Sequence, residues 1–208
     1  MKNMKNFPKQ IPIFPLSGVI YFPKTNLPLN IFEQRYLDLV NDALRKDKLM
    51  GMIQSKKNGQ EIYKIGCLGK INDYEKSDDG RIIISLTGIT RFEVLQEKDN
   101  SKLYREFVVN YEKFTNDLNP DTHNINVNDL MLKMKGFFKS KGIFLNWKEF
   151  EKLDISQKVN TLAMIAPFSN EEKQKLLESV SLNEKVKTLE NITSFYLHEV
   201  NFKNLTIQ

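Results

Sequence analysis

Hydrophobic and polar positions follow two different periods along the chain. Between residue 11 and about residue 114, short apolar runs alternate with polar positions or are broken by proline, a pattern typical of β-strands. Beyond residue 127, apolar side chains recur every three or four positions, as on one face of an amphipathic helix. The sequence therefore predicts an α+β protein with a β subdomain at residues 1–114, a linker at 115–126 and a helical subdomain at 127–208.

The β subdomain is predicted to contain about six short strands and one helix, the helix spanning Glu33–Lys46. The strand-like runs are Ile11–Pro15, Val19–Phe22, Leu27–Phe32, Leu49–Ile53, Ile65–Glu75, Ile82–Leu95 and Tyr104–Phe114. Gly66 and Gly69 indicate a close backbone approach or a bulge, and Gly88 predicts a kink in its strand. Short, curved strands with one early helix favour a small, partly closed barrel.

The helical subdomain is predicted to be a bundle of four or five helices. A first helix ends near Gly142, and Trp147 and Phe150 lie in a short following one. Capping boxes predict three further starts, because the first side chain accepts from a free backbone N–H and the fourth reaches back. They are Asp154–Gln157, Ser169–Glu172 and Ser181–Glu184. The last helix is expected over Leu182–Phe202, with a buried face formed by Val186, Leu189, Ile192, Phe195 and Tyr196.

The net charge of +5 results from 31 lysines and arginines against 26 aspartates and glutamates. Nucleic-acid binding predicts clustered cations, with arginine favoured for its two-pronged contact with phosphate. Five of the cations are arginine, and the lysines are dispersed among acidic residues. This distribution favours a solvated, lysine-rich surface over a phosphate-binding patch, so a nucleic-acid partner is not expected.

Sequence motifs that would indicate catalysis or metal binding are absent. The Gly69–Lys70 pair lacks the flanking residues of a nucleotide-binding P-loop, and no G-x-S-x-G nucleophile elbow occurs. His123 and His198 are too few for a histidine-rich metal site, and no acidic cluster has calcium-loop spacing. Cys67 is flanked by apolar residues, which favours a buried side chain over a reactive thiol. We therefore expect a protein that is not an enzyme and that needs no cofactor or metal.

No segment of the sequence is suited to entering a membrane. The longest apolar stretch, Leu162–Phe168, is far shorter than the roughly 20 residues that cross a bilayer. The N-terminal residues contain lysines but lack the apolar region of a signal peptide. A cytoplasmic protein without a membrane partner is expected.

Several motifs together resemble the N-terminal, substrate-binding domain of Lon protease. They are Ile11–Leu16, Phe22–Pro23, Leu27–Tyr36, Asp47–Ile53, Ile65–Ile71, Asp79–Gly88, Arg91–Phe92, Leu162–Ser169 and Glu172–Glu178. The motifs are specific in combination and extend over nearly the whole chain, and the similarity is closest to small bacterial proteins that carry this domain alone. Gln34 departs from the family pattern, because members commonly have proline in the first helical turn.

The resemblance implies a PUA-like β pseudo-barrel followed by a helical bundle. It also implies a non-catalytic module that recognises unfolded or partly apolar polypeptide segments, alone or beside a protease partner. The ATPase and peptidase modules of the full protease are not expected within 208 residues. Two alternatives stay open. One is RNA binding, because PUA-like barrels also occur in RNA-binding proteins, and the other is peptidase activity of the chain itself.

The candidate peptide-binding residues are Phe32, Glu33, Gln34, Arg35 and Tyr36, at the predicted start of the first helix. A barrel with an apolar groove and an unpaired sheet edge can bind an extended peptide through main-chain hydrogen bonds and side-chain pockets. The alternative for Phe32 and Tyr36 is that both aromatic rings anchor the helix in the core.

Overall fold

The computed structural model describes residues 7–56, 61–123 and 125–205, with side chains as far as His198. The chain divides into two compact units, Met1–Asn119 and Pro120–Gln208. The elements described in the first unit are β1 (Gln10–Leu16), β2 (Asn26–Ile31), α1 (Gln34–Leu44), β3 (Leu49–Gln54), β4 (Ile65–Lys76), β5 (Ile82–Lys98), β6 (Arg105–Asn110) and a 3-10 helix (Glu112–Asp117). Those in the second are α2 (Asn128–Ser140), α3 (Trp147–Phe150), α4 (Ile155–Ile165), α5 (Asn170–Glu178) and α6 (Leu182–Leu205). The predicted α+β fold with a C-terminal helical part is confirmed.

The sheet is organised around β5, the longest strand. β5 has 17 residues, so its first half pairs with β2, its last residues pair with β6, and most of its length pairs with β4. The strand order is β2-β5-β4-β3-β1-β6, and an additional pairing joins β5 to β6. The series β5-β4-β3-β1-β6 therefore closes into a barrel, and β2 is attached outside this ring.

Irregular pairing lets the long strands bend. β4 and β5 shift register beside Gly69, which lies opposite Gly88, and further shifts follow between β4 and β5 and between β5 and β6. A bulge of this kind increases the local twist and bends its strand. The kink predicted at Gly88 is thus a bulge inside one continuous strand and not a break between two strands.

A buried cluster drawn from all the barrel strands fills the barrel. It consists of Ile11, Ile13, Ile53, Leu68, Phe92, Phe107, Val109 and Tyr111. Glycine is required at one point in its wall, because a Cβ at Gly66 would lie 2.5 Å from the carbonyl oxygen of Met52 and 2.6 Å from the Phe92 ring. The close approach predicted at Gly66 is confirmed.

The other side of β1 and β3 is covered by α1. The ring centroids of Tyr36 and Phe14 are 4.0 Å apart, and Leu39, Val40 and Ala43 complete the buried face of the helix. Cys67 is fully buried, as expected.

The connection between β1 and β2 is irregular. The strand predicted at Val19–Phe22 does not form, although all but the first of these residues are buried. Gly18 turns the chain before them with φ +85°. The backbone is then fixed to β5, because the Lys24 N–H donates to the Gly88 carbonyl and the Gly88 N–H donates to the Thr25 carbonyl, both at 2.9 Å. The strand prediction is wrong here because the apolar residues of this loop are buried without joining the sheet ladder.

The segment predicted as a linker begins with residues that pack on the sheet. The Asp117 carboxylate accepts hydrogen bonds from the Arg91 side chain at 2.7 Å and from the Arg91 backbone N–H at 2.8 Å. The guanidinium lies 4.2 Å from the centroid of the Phe114 ring, and Phe114 is fully buried. These contacts explain why the first compact unit extends to Asn119, whereas the sequence places its end at residue 114.

Two of the three predicted capping boxes form in full. Asp154 and Gln157 cap α4 reciprocally, and Ser169 and Glu172 do the same for α5. At α6 the Ser181 hydroxyl accepts from the backbone N–H of Glu184 at 3.1 Å, but the Glu184 carboxylate accepts from the Val180 N–H instead of closing the box. The predicted buried face of α6 is wrong at Phe195, which is 58% exposed, and fully buried Thr193 lies on the core side instead.

Candidate functional site

The five candidate residues connect β2 to α1. Phe32 is 67% exposed, whereas Tyr36 is 8% exposed. Glu33, Gln34 and Arg35 are exposed as well. The structure therefore brings the first four residues together on the surface and places Tyr36 in the core.

Tyr36 anchors the start of α1. Its ring packs on Phe14, and its hydroxyl lies 3.4 Å from the carbonyl oxygen of Pro15, to which it donates. Burial raises the pKa of Tyr36, and the neighbouring Arg35 guanidinium partly opposes this shift. The Arg35 guanidinium lies 4.5 Å from the centroid of the Tyr36 ring. The sequence left open whether Phe32 and Tyr36 both anchor the helix in the core, and in the structure only Tyr36 does so.

The three polar candidates have partners of their own within the surface segment. Arg35 donates from Nε and from a terminal nitrogen to the same Glu33 oxygen, at 3.0 and 2.7 Å. Gln34 donates to the Asp38 carboxylate at 2.8 Å, one turn further along α1. Exposed pairs of this kind are weak, about 0–1 kcal/mol each, so a ligand can replace them at low cost. The segment is thus a polar surface beside one exposed aromatic ring.

A second exposed apolar side chain lies at the same end of β2. Ile83 of β5 pairs with Asn30 of β2, two residues before Phe32, and Ile83 is 45% exposed. The β2–β5 pair therefore presents two large apolar side chains where β2 ends. We call Phe32 and Ile83 the apolar pair.

The sequence pattern did not single out Ile83 or the edge formed by β2. Ile82 and Ile84 alternate with Ile83, and because all three are isoleucine the pattern cannot show which of them is exposed. One signal for the edge was available. Pro28 lies inside a short strand, and proline is confined to edge strands, strand ends and bulges because it has no N–H for the ladder.

The arginines of the chain are engaged with carboxylates. The five ion pairs are Arg35–Glu33, Arg45–Asp42, Arg81–Asp79, Arg91–Asp117 and Arg105–Glu97. The hydrogen bond from Arg105 holds the pKa of Glu97 below its usual range, and Arg81 does the same for Asp79. The side chains best suited to binding phosphate are therefore already paired with protein carboxylates.

The helical unit has an apolar surface of its own. Met131, Leu132, Trp147 and Phe150 contribute to an open cleft of about 420 Å³, which also carries the Lys135–Glu151 ion pair. Phe144, outside this cleft lining, is 99% exposed. A substitution on this surface can therefore serve as the control for a substitution at the apolar pair.

In the part of the chain that the structure describes, no three His, Cys, Asp or Glu side chains cluster closely enough to hold a metal ion. No described helix is long and apolar enough to span a membrane.

Two solved structures share the fold. A Lon N-terminal domain protein from Xanthomonas campestris has a TM-score of 0.63 and 21% identity, covering 86% of this chain and 96% of that one. The N-terminal domain of a Mycobacterium avium complex Lon protease has a TM-score of 0.65 and 15% identity, covering 89% of this chain and 98% of that one.

Similarity in sequence leads to the same group of proteins. The Lon protease of Heliobacterium modesticaldum (strain ATCC 51547 / Ice1) is 24% identical over 199 residues, which cover 88% of this chain and 24% of that protease. The chain thus spans about a quarter of the length of such relatives. Residues 10–193 match the ATP-dependent protease La (LON) substrate-binding domain. Since this match includes most of the chain, the chain belongs to the LON substrate-binding domain family.

Proposed function

We propose that the chain is a non-catalytic, PUA-like polypeptide-binding module that acts in the cytoplasm and recognises unfolded or partly apolar segments, alone or beside a protease. The observation that carries the proposal is the apolar pair at the end of β2, where Phe32 remains 67% exposed. A protein gains little stability from an aromatic ring left in water, whereas a bound apolar side chain would cover it.

The surroundings of Phe32 suit a polypeptide ligand. Glu33, Gln34 and Arg35 offer carboxylate, amide and guanidinium groups next to the ring. A ligand with apolar side chains and backbone amides can use both kinds of surface, because apolar contacts give affinity and a few polar groups fix orientation. Membership of the LON substrate-binding domain family also supports this class of ligand.

The test is direct titration of the full chain with fluorescein-labelled, overlapping peptides of casein, followed by fluorescence anisotropy. We expect saturable binding for the apolar peptides of the set. Burying a Phe side chain contributes about 1.5–3 kcal/mol when complete. With 67% of Phe32 available, Phe32→Ser should cost about 1–2 kcal/mol, or roughly five- to thirtyfold in affinity.

Phe144→Ser is the matched control, since Phe144 is 99% exposed and lies in the helical unit. It should leave the affinity unchanged. Absence of saturable binding across all peptides would remove the proposal. Equal losses in the two variants would contradict the location at the apolar pair.

The alternatives left by the sequence have less support. RNA binding favours clustered cations, whereas the 31 lysines and arginines of the chain are dispersed among acidic residues. We expect RNA retention to stay low and flat from low to physiological salt, because true phosphate binding falls steeply over that range. We also expect no cleavage of casein by the chain, with or without ATP.

A further inference from the structure

One side of the β2 backbone has no strand partner among the described residues. β2 pairs with β5 along Asn26–Ile31 and stands at the end of the strand order. β5 is also the only described element that packs extensively against β2. Asn26, Pro28 and Asn30 are exposed. An edge of this kind offers backbone N–H and C=O groups to another strand.

The pairing with β5 determines which residues of β2 face the open side. In an antiparallel pair, bonded positions direct N–H and C=O at the partner, and they alternate with positions that direct both groups away. The Gly88 N–H donates to the Thr25 carbonyl at 2.9 Å, so odd-numbered residues of β2 are bonded to β5. The even-numbered residues Asn26, Pro28 and Asn30 therefore direct their backbone groups at the open edge.

These three positions do not offer the same groups. Asn26 and Asn30 each present a donor and an acceptor, about 13 Å apart along the strand. Pro28 between them presents a carbonyl alone, because proline has no N–H. The edge therefore offers both N–H and C=O groups at its two ends, but only a C=O group at its centre.

The missing donor distinguishes a foreign strand from a second copy of this chain. In a symmetric antiparallel pairing of two β2 strands centred on Pro28, two prolines face each other and both central hydrogen bonds are lost. A foreign residue opposite Pro28 still donates its own N–H to the Pro28 carbonyl, so only one bond is lost. The edge thus favours a peptide over self-pairing.

The side chains beside the edge define the sequence type of such a peptide. Leu27 and Leu29 are half-buried, and their side chains alternate with the exposed ones of Asn26, Pro28 and Asn30. Residues of an added strand stand beside their cross-strand neighbours on the same face. Alternate residues of the peptide would then cover the two leucines.

We infer that a polypeptide segment binds this protein as an added β-strand on the open edge of β2. The segment forms hydrogen bonds with the backbone N–H and C=O groups of Asn26 and Asn30, and it donates one N–H to the carbonyl of Pro28. The inference rests on the proposed function and specifies its ligand. The segment is extended, has free N–H groups at every second residue, and carries apolar side chains at the residues between.

The experiment is an N-methyl scan of the tightest-binding casein peptide, titrated against the full chain. A methyl group removes one donor and blocks approach at one residue. We expect losses of about fivefold or more at every second residue and little change at the residues between, following the alternation of bonded positions. In addition, the amide protons of Asn26 and Asn30 should exchange more slowly with the peptide bound.

A variant tests the same geometry from the side of the protein. Pro28→Thr restores the missing donor, so peptide affinity should rise about fivefold, the net value of one hydrogen bond. The variant is used after circular dichroism and sedimentation show that it is folded and monomeric. An affinity no higher than that of the original chain would overturn the inference.

The outcomes separate this inference from the proposed function. One outcome is that peptides bind and that Phe32→Ser lowers their affinity, but that the N-methyl scan shows no two-residue period. This outcome would overturn strand addition and leave polypeptide binding intact. A complete lack of peptide binding would overturn both.

Discussion

Removal of the Asp117 carboxylate should destabilise the sheet unit, because it removes the ion pair that this carboxylate forms with the buried Arg91 side chain. The side chains of Arg91 and Asp117 are 3% and 8% exposed. Asp117 accepts from Arg91 Nε at 3.0 Å and from a terminal nitrogen at 2.7 Å, and also from the Arg91 backbone N–H at 2.8 Å. The carboxylate therefore balances one charge and satisfies one backbone donor.

The size of the effect follows from this burial. Breaking a buried ion pair by removing one partner costs about 3–5 kcal/mol, because the remaining charge is left desolvated. Asp117→Ala should lie in this range. Replacing both partners, as in Arg91→Met with Asp117→Leu, should recover most of the loss. About 1 kcal/mol should remain lost, because the backbone N–H of residue 91 still lacks its acceptor.

The assay is equilibrium urea unfolding of the full chain, followed by circular dichroism. With a slope of about 2 kcal/mol per molar urea, the expected loss lowers the midpoint by about 1.5–2.5 M. Asp79→Ala is the control, since the Asp79–Arg81 pair is also in direct contact but about half exposed, and the midpoint of this variant should not move. An Asp117→Ala midpoint equal to that of Asp79→Ala would refute the reasoning.

Three further outcomes can be checked by unfolding measurements. Gly88→Ala should lower the free energy of unfolding by more than about 1 kcal/mol and weaken peptide binding, because the new Cβ would lie 2.2 Å from the Phe22 carbonyl oxygen. Gly136→Ala is the control and should be neutral or stabilising, because no atom lies within 4 Å of its Cβ position. Burial raises the pKa of Tyr104 from 10.0 to about 12, so the folded state holds the phenolic proton more tightly than the unfolded state does. The resulting contribution to the free energy of unfolding is complete below pH 10 and is lost as the pH rises towards 12. Tyr104→Phe should therefore lose less stability than the original chain between pH 9 and 12, measured as urea midpoints. Ser169→Ala should cost about 1 kcal/mol through loss of the α5 cap, seen as a lower melting temperature.

Local signals in the sequence predicted the elements whose causes are local. α4 and α5 begin where Asp154 and Ser169 can cap them, because a capping box involves four consecutive residues. Gly66 predicted a close approach at its own position, where the Met52 carbonyl oxygen and the Phe92 ring leave no room for a Cβ. Each of these features depends on neighbours within a few residues along the chain, or on a steric limit that glycine alone satisfies.

Features that depend on distant residues could not be predicted in the same way. Phe32 and Tyr36 are four residues apart and both aromatic, yet only Tyr36 meets Phe14, a residue of β1. Asp117 lies in a polar stretch that resembles a linker, and its partner Arg91 is 26 residues away. The candidate site therefore stays a prediction, and which of its two rings faces solvent depended on tertiary contacts that the sequence does not show.

An exposed aromatic ring and an open strand edge would ordinarily promote self-association. Two features of this chain oppose it at different distances. The net charge of +5 gives every copy the same sign, so two copies repel each other before they come into contact. At contact, Pro28 removes the central donor, so two copies of β2 pair poorly. A short peptide of low charge is repelled less than a second copy, and it loses one hydrogen bond opposite Pro28 where a second copy loses two. The same edge can therefore accept a peptide while disfavouring a second copy.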